Sequence, residues 1–375
     1  MKVLSVVGAR PNFMKIAPLI REMRKHADMQ SYLVHTGQHY DVKMAGAFFE
    51  DLKIPEPDVC LEVGSGTHAF QTAEVMKRLE PILERERPDI VMVVGDVNST
   101  MAAALTSVKL HMRVAHVEAG LRSFDRSMPE EINRLVTDAV SDLLFVTEES
   151  GVRNLANEGV QNEKVFFVGN VMIDSLEASR RFWMNSTILD RLELTKAQYG
   201  VVTLHRPSNV DSIMVLKGLV KALAEIAQRC PIVFPVHPRT KKILSSMDEF
   251  KEMIRFDKTI PGTSGVFCMD PVGYLDFMSL LSNSKLVLTD SGGVQEETTV
   301  LGIPCLTLRE NTERPVTVTH GTNRVIGSSP DRVISEAMMA IESTRSALAS
   351  PPLWDGHASE RILTIIRGRV RPAAS

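Results

Sequence analysis

Cysteine is scarce. Only Cys60, Cys230, Cys268 and Cys305 occur in 375 residues, widely scattered and with no CxxC pair. That excludes a disulfide framework and a zinc ribbon, and predicts reduced, mostly buried thiols in a cytoplasmic protein. Long apolar runs are missing too: none approaches the ~18 residues a membrane-spanning helix needs. An excess of one charge is also lacking, since 43 Lys and Arg face 46 Asp and Glu for a net charge of -3. No global basic field is available to nucleic acid or anionic lipid, so any phosphate affinity must be local. There is no internal repeat, low-complexity segment or charge run. The ten histidines are dispersed, and no metal site is expected.

What is present is globular. Hydrophobic residues make up 44% and charged residues 24%, with a mean hydropathy of -0.01, which excludes collagen and disorder. At ~150 residues per domain the length predicts two domains, each able to bury a core. The N-terminal MKVLSVVGARP has a short, β-branched apolar stretch that runs straight into a turn. It reads as a first strand and not as a signal peptide.

Short apolar runs alternate with amphipathic helical stretches along nearly the whole chain. Strands are predicted at 3–7, 31–35, 90–94, 114–117, 143–146 and 165–168, with helices at 11–25, 42–51 and 67–87 among them. After a helix at 171–185 the pattern restarts, with strands at 201–204, 232–236, 286–288 and 303–306 separated by helices. Continuous Val/Ile runs between helices indicate parallel sheets covered on both faces. The expected fold class is α/β, two doubly wound Rossmann-like domains facing each other across a cleft. The predicted division is 1–170, 171–357 and a C-terminal helical segment, 358–375, packing back on the N-terminal domain. Ligands of such sheets bind beyond the carboxyl ends of the strands, so polar residues just after predicted strands carry the functional signal.

Gly8-Ala9-Arg10-Pro11-Asn12-Phe13-Met14-Lys15 follows the first strand. Glycine permits the tight turn and the helix start favours an anion, with Arg10 and Lys15 adding cations. The motif is neither GxGxxG nor a Walker loop, and an ordinary strand-helix turn explains it almost as well. Gly95-Asp96-Val97-Asn98-Ser99-Thr100 follows the strand at 90–94. Asn98 or Ser99 would cap the next helix, which leaves Asp96 unexplained. In His116-Val117-Glu118-Ala119-Gly120-Leu121-Arg122-Ser123, Glu118 ends an apolar strand, where a carboxylate is costly without a task or a partner. An ion pair with Arg122 is the structural alternative. Met128-Pro129-Glu130-Glu131-Ile132-Asn133-Arg134 opens a helix whose glutamates suit the dipole, yet Glu130 and Arg134 share a face at i, i+4. Carboxylates at Asp96, Glu118 and Glu130 beside cations are what proton abstraction and return require.

In the second half, His205-Arg206-Pro207-Ser208-Asn209 follows a strand, making His205 a candidate for acid/base work or phosphate contact. Thr289-Asp290-Ser291-Gly292-Gly293-Val294-Gln295-Glu296-Glu297 joins a strand to a helix. Ser291, Gly292 and Gly293 would open backbone N–H groups to a phosphate, and Glu297 one turn on would accept a ribose hydroxyl pair. Arg309 and Arg314 follow the next strand.

GARPNFMK, GDVNST, HVEAGLRS, PEEINR, HRPSN, DSGGVQEE and TERP occur in the order and spacing of the non-hydrolysing UDP-N-acetylglucosamine 2-epimerases, which the chain resembles over almost its whole length. The resemblance implies the glycosyltransferase-B fold, a UDP-sugar substrate, a homodimer, a cytoplasmic location and no cofactor. It assigns catalytic positions to Asp96, Glu118, Glu130, Arg134 and His205. Arg10 and Lys15 would bind the diphosphate region, Ser291, Gly292 and Gly293 phosphate, Glu297 the ribose, Arg314 the substrate edge, and Phe277 the place beside uracil. The family eliminates UDP across C1–C2 to give 2-acetamidoglucal and adds it back after protonation of the opposite face. The residues do not distribute the three carboxylates between the two faces. Three departures stand out. Val272 occupies a position where the family often has glutamine, Pro207-Ser208-Asn209 stand where it has an acidic HRxEN, and Gln38-His39-Tyr40 where allosterically regulated members have QHR. They leave open a related substrate, such as a UDP-diacetamido sugar or its uronic acid; a hydrolysing homologue that releases UDP is a separate alternative.

Overall fold

The structure, a computed structural model, describes residues 1–37, 54–250, 252–256, 260, 264–343 and 350–370. The helix expected at 42–51 and the Gln38-His39-Tyr40 motif lie outside them. The chain divides into two compact units, Met1–Ala178 with Pro352–Ser375, and Ser179–Pro351.

The first unit runs β1 (Lys2–Val7), α1 (Arg10–Met23), β2 (Gln30–His35), β3 (Val59–Cys60), α2 (His68–Glu86), β4 (Ile90–Val94), α3 (Asn98–Lys109), β5 (Val114–Ala119), α4 (Pro129–Val140), β6 (Leu143–Val146), α5 (Glu149–Asn157), β7 (Val165–Phe167) and α6 (Val171–Trp183), within which the division falls. Its seven described strands are ordered β3-β2-β1-β4-β5-β6-β7, every pairing parallel. Every residue of β4 and β5 is buried, as continuous β-branched runs in a doubly covered sheet require. Strand order reverses between β1 and β4, registered Val3 to Ile90 and Val6 to Val93. That switch point is where a ligand of such a sheet is held.

The second unit repeats the plan with α7 (Ile188–Arg191), β8 (Gly200–Thr203), α8 (Pro207–Val210), α9 (Ile213–Ile226), β9 (Ile232–Pro235), α10 (Pro238–Ser246), β10 (Ile254–Arg255), β11 (Val266–Met269), α11 (Tyr274–Ser282), β12 (Leu286–Thr289), α12 (Gly292–Leu301), β13 (Cys305–Thr307), α13 (Val316–Thr319), β14 (Asn323–Val325) and α14 (Pro330–Glu342). The sheet order is β10-β11-β9-β8-β12-β13-β14, and the switch point lies between β8 and β12. Its core gathers Val202, Leu219, Phe234, Leu288 and Leu306 with the inner faces of α9 and α14.

The last helix, α15 (Ala358–Arg369), belongs to the first unit and packs on α1. Asp174 ties its start by accepting from the Ala358 and Ser359 N–H groups at 3.1 and 2.7 Å, and the Trp354 indole donates to the Thr147 carbonyl at 2.9 Å. No helix among the described residues is long and apolar enough to cross a membrane. Cys230, Cys268 and Cys305 are buried and Cys60 exposed, all unbridged. Burial pushes the Cys268 and Cys305 thiols up to about 12, which leaves them inert.

Candidate active site

In the first unit the expected site residues stand at the carboxyl ends of β1, β4 and β5. Arg10 is the first residue of α1, and Pro11 fixes the helix entry. The loop before it is organised by Asn12, whose Oδ1 accepts the Gly8 and Ala9 N–H groups at 3.1 Å each while its amide donates to the Val94 carbonyl. Lys15, one turn on and buried, makes an ion pair with Glu118. Glu118 is itself buried, and its backbone is left-handed with φ 76°. That conformation is rare for a residue with a Cβ and costs roughly 1–3 kcal/mol. It arises because β5 bulges there. Val117 pairs with Phe145 and Ala119 with Val146, so Glu118 is the extra residue. The bulge turns its carboxylate out of the ladder and toward Lys15.

Gly95 gives this pair its room. Its φ is +68°, and a Cβ there would lie 2.7 Å from Lys15 Nζ and 3.7 Å from Glu118 Oε2. Asp96 follows, partly exposed, with Oδ2 at 2.5 Å from Arg134 Nη1. Arg134 is buried and also donates from Nη2 to Glu131 Oε2 at 2.6 Å. The Glu131 carboxylate is fully engaged: it further accepts the Ser123 and Phe124 N–H groups and the Ser123 hydroxyl. Burial pushes its carboxyl up, but these donors and Arg134 outweigh that and hold it below the usual range. Glu131 therefore anchors the β5–α4 loop. Removing it would leave Arg134 with Asp96 as its remaining charge partner and free the Ser123 and Phe124 N–H groups. Glu130 stands half-buried in the first turn of α4.

One expectation and one alternative give way here. Asn98 and Ser99 do not cap α3. Val97 is the N-cap, so both fall inside the helix, with Asn98 donating to Gln71 Oε1 at 2.9 Å and Ser99 bonded to the Thr36 hydroxyl at 2.8 Å. The other is the pairing of Glu118 with Arg122. Arg122 is instead taken by Asp138 and Glu158, at 2.7 Å each, and Lys15 takes Glu118. Beside them, unanticipated from the sequence, His116 bridges Asp138 Oδ1 at 2.6 Å and the Gly95 carbonyl at 2.8 Å. The Asp138 carboxyl is pushed up by burial, yet His116 and Arg122 pull it below the usual range.

In the second unit β12 leads into α12 through Asp290 and Ser291. Ser291 is the N-cap; its side chain makes no capping bond, and its own N–H donates to the Thr289 hydroxyl at 3.0 Å. Gly292 is buried, and a Cβ on it would come within 2.8 Å of Arg314 Cζ and Glu313 Oε1. Arg314 packs under this turn, Nε on Glu296 Oε1 at 2.7 Å and Nη1 on Glu313. Arg309 reaches Glu313 Oε2 at 2.8 Å. Glu297 is buried beside the Tyr274 hydroxyl, whose pKa burial and the Glu297 charge push well up. Gly293 follows in the same turn of α12, and Phe277, on α11, is half-buried. His205 follows β8 with its side chain 55% exposed and Nδ1 2.7 Å from Asp290 Oδ1. Asp290 carries no role in the sequence reading. Its signal was a charged residue between an apolar strand and a glycine pair.

Each unit thus presents charged groups beyond its switch point: carboxylates and cations in the first, a helix start with arginines in the second. A family model described as UDP-N-acetylglucosamine 2-epimerase matches residues 21–367. A Methanococcus maripaludis protein named UDP-N-acetylglucosamine 2-epimerase homolog is 43% identical over 98% of this chain and 99% of its own length. The UDP-2,3-diacetamido-2,3-dideoxy-D-glucuronate 2-epimerase of Pseudomonas aeruginosa is 40% identical over 92% of this chain and 93% of its own. The crystal structure of Methanocaldococcus jannaschii UDP-GlcNAc 2-epimerase in complex with UDP-GlcNAc and UDP matches with a TM-score of 0.89 at 40% identity, over 98% of this chain and all of that one. Sequence and fold agree: this chain belongs to the UDP-N-acetylglucosamine 2-epimerase family.

Proposed function

We propose that this protein inverts C2 of UDP-N-acetylglucosamine to give UDP-N-acetylmannosamine without hydrolysing it. C2 is not α to a carbonyl, so its hydrogen is too weakly acidic for direct removal and return. Elimination avoids the problem. The C1–O bond breaks as UDP leaves with its electron pair, the C2 proton passes to a base, and the C–H pair becomes the C1=C2 bond of 2-acetamidoglucal. Reversal with the proton delivered to the opposite face, and UDP oxygen re-added at C1, yields the epimer. Such a cycle needs a base, an acid and cations for the departing diphosphate. Asp96, Glu118 and Glu130 supply the proton chemistry, and Arg134 and Lys15 hold the carboxylates in place. Arg10, Arg314, the Ser291 hydroxyl and the N–H groups of Gly292 and Gly293 take the diphosphate, Glu297 the ribose, Phe277 the uracil and His205 the reacting end.

The observation that carries this reading is the bulged, left-handed Glu118 ion-paired with buried Lys15. Strain of that kind persists where surrounding structure enforces it for a task. The M. jannaschii relative, crystallised with UDP-GlcNAc and UDP, supports the substrate. The test is incubation with UDP-N-acetylglucosamine in D2O, followed by proton NMR. Deuterium at C2 in both epimers, with UDP staying catalytic in amount, is expected. Stoichiometric free UDP would mean a hydrolysing enzyme.

One observation favours a second reading, the same chemistry on a UDP-diacetamido sugar or its uronic acid: the P. aeruginosa relative so named is 40% identical over 92% of this chain. Running the exchange assay on both sugars separates them.

A further inference from the structure

His205 owes its orientation to Asp290. The Asp290 carboxylate is wholly buried at the tip of β12. It accepts the His205 N–H at 3.1 Å, the Arg206 N–H at 2.9 Å and the Asn209 amide at 3.0 Å. His205 Nδ1 lies 2.7 Å from Asp290 Oδ1. Asn209 is held in turn by the Leu308 carbonyl, so strands β8, β12 and β13 all converge on this one side chain. Burial pushes the Asp290 carboxyl up, but the His205 hydrogen bond and charge, with Arg206 and Asn209, bring it below the usual carboxylate range. An ionised carboxylate only accepts, so Nδ1 must carry the hydrogen.

We propose that Asp290 is a positioning residue that locks His205 with its proton on Nδ1, so that the ring meets the nucleotide-sugar through Nε2. This rests on the reading that His205 serves the epimerisation. The His205 side chain is 55% exposed although Nδ1 is held in the buried network.

Asp290→Asn is the informative change. The asparagine oxygen would keep the backbone donors, and its NH2 would then face Nδ1, forcing the ring to accept there and move its hydrogen to Nε2. In a serine protease, turning the aspartate behind the catalytic histidine into asparagine imposes this wrong tautomer and costs about ten-thousandfold in rate. Long-range 1H–15N NMR of labelled imidazoles, with His205 assigned by its loss in His205→Gln, should show a protonated Nδ1 in the wild type and a protonated Nε2 in Asp290→Asn. Turnover of Asp290→Asn should fall at least about a hundredfold with UDP affinity within about threefold. The double variant Asp290→Asn/His205→Ala should be no slower than His205→Ala alone, since the two residues act as one unit.

A bare Nδ1 in the wild type overturns the proposal, even where Asp290→Asn does not fold. So does normal turnover in Asp290→Asn beside a crippled His205→Ala, and so does a double variant slowed by the product of the singles. Normal turnover in His205→Ala is different. It removes the reading of His205 on which the proposal stands, while the ring spectrum still reports the pairing.

Discussion

Gly95→Ala separates backbone strain from active-site geometry. Gly95 sits at φ +68° at the end of β4, where an alanine costs roughly 1–2 kcal/mol. In a domain of 150–250 residues each kcal/mol lowers Tm by about 2–4 °C, so the expected fall is about 2–8 °C. The new methyl would also lie 2.7 Å from Lys15 Nζ and 3.3 Å from Asn12 Nδ2. Backbone cannot give way here, because Asn12 is fixed to Val94 and to the Gly8 and Ala9 N–H groups. The ammonium ends a flexible four-carbon stem and moves instead. Its displacement of about 1 Å breaks the Lys15–Glu118 pair, and misplacement of that size costs about a hundredfold in rate.

The control is Gly159→Ala in the same unit. Gly159 has φ +79° with nothing within 4 Å of a Cβ, so it carries the strain without the collision. Initial rates of UDP-N-acetylglucosamine epimerisation by NMR, with Tm by calorimetry, should show both variants losing similar Tm and only Gly95→Ala losing rate. Equal rates in the two would refute the idea that Gly95 exists to admit Lys15.

Asp96→Asn and Glu118→Gln should retain UDP binding by calorimetry and lose at least about a hundredfold in turnover; weak binding with normal turnover would contradict their assignment to proton chemistry. Gly292→Ala should lower Tm by several degrees, because its methyl overpacks the buried Arg314–Glu313 pair under the start of α12, and should raise the UDP Kd about tenfold, or about 1.4 kcal/mol. An unchanged Kd would separate this turn from the diphosphate. Asp138→Asn tests linkage. The folded Asp138 pKa lies below the ordinary 3.8, so its stabilisation is present above that value and is lost as pH falls from it toward the folded value. Urea unfolding at pH 5 and pH 3.5 should show a smaller drop in stability for the variant than for the wild type, and an equal drop would show that the His116–Asp138 pair does not bear on acid stability.

The fold class was legible because both sheets are built from runs that need no partner to be recognised. The run at 90–94 is buried at every position, and only a sheet covered on both sides accommodates that. What escaped were three of the four edge strands and, inside the second sheet, β11. β3 and β10 are two residues each and β14 three, too short for any periodicity. β11, Val-Phe-Cys-Met, is apolar throughout, but a four-residue run cannot be told from buried helix without its neighbours. The charged residues after the strands were visible by type and position, whereas their pairings were not. Arg122, four residues beyond Glu118, turns to Asp138 and Glu158, while Glu118 meets Lys15 from another strand-helix junction.

The reason is the bulge. In a regular strand the side chain at 118 would sit one step out of phase with its neighbours, and Arg122 would be its nearest cation in sequence. The register shift between Val117 and Ala119, together with φ 76° at Glu118, redirects the carboxylate toward α1. Nothing in Val-Glu-Ala-Gly announces a left-handed glutamate, since glycine is the residue that signals such a turn. The compensation lies outside the strand. Lys15 balances the charge, Gly95 leaves space for the ammonium, and Asp138 accepts the Gly120 N–H at 3.0 Å just past the bulge. Each of those partners is remote in sequence, so the strained residue and the structure that holds it become visible only together.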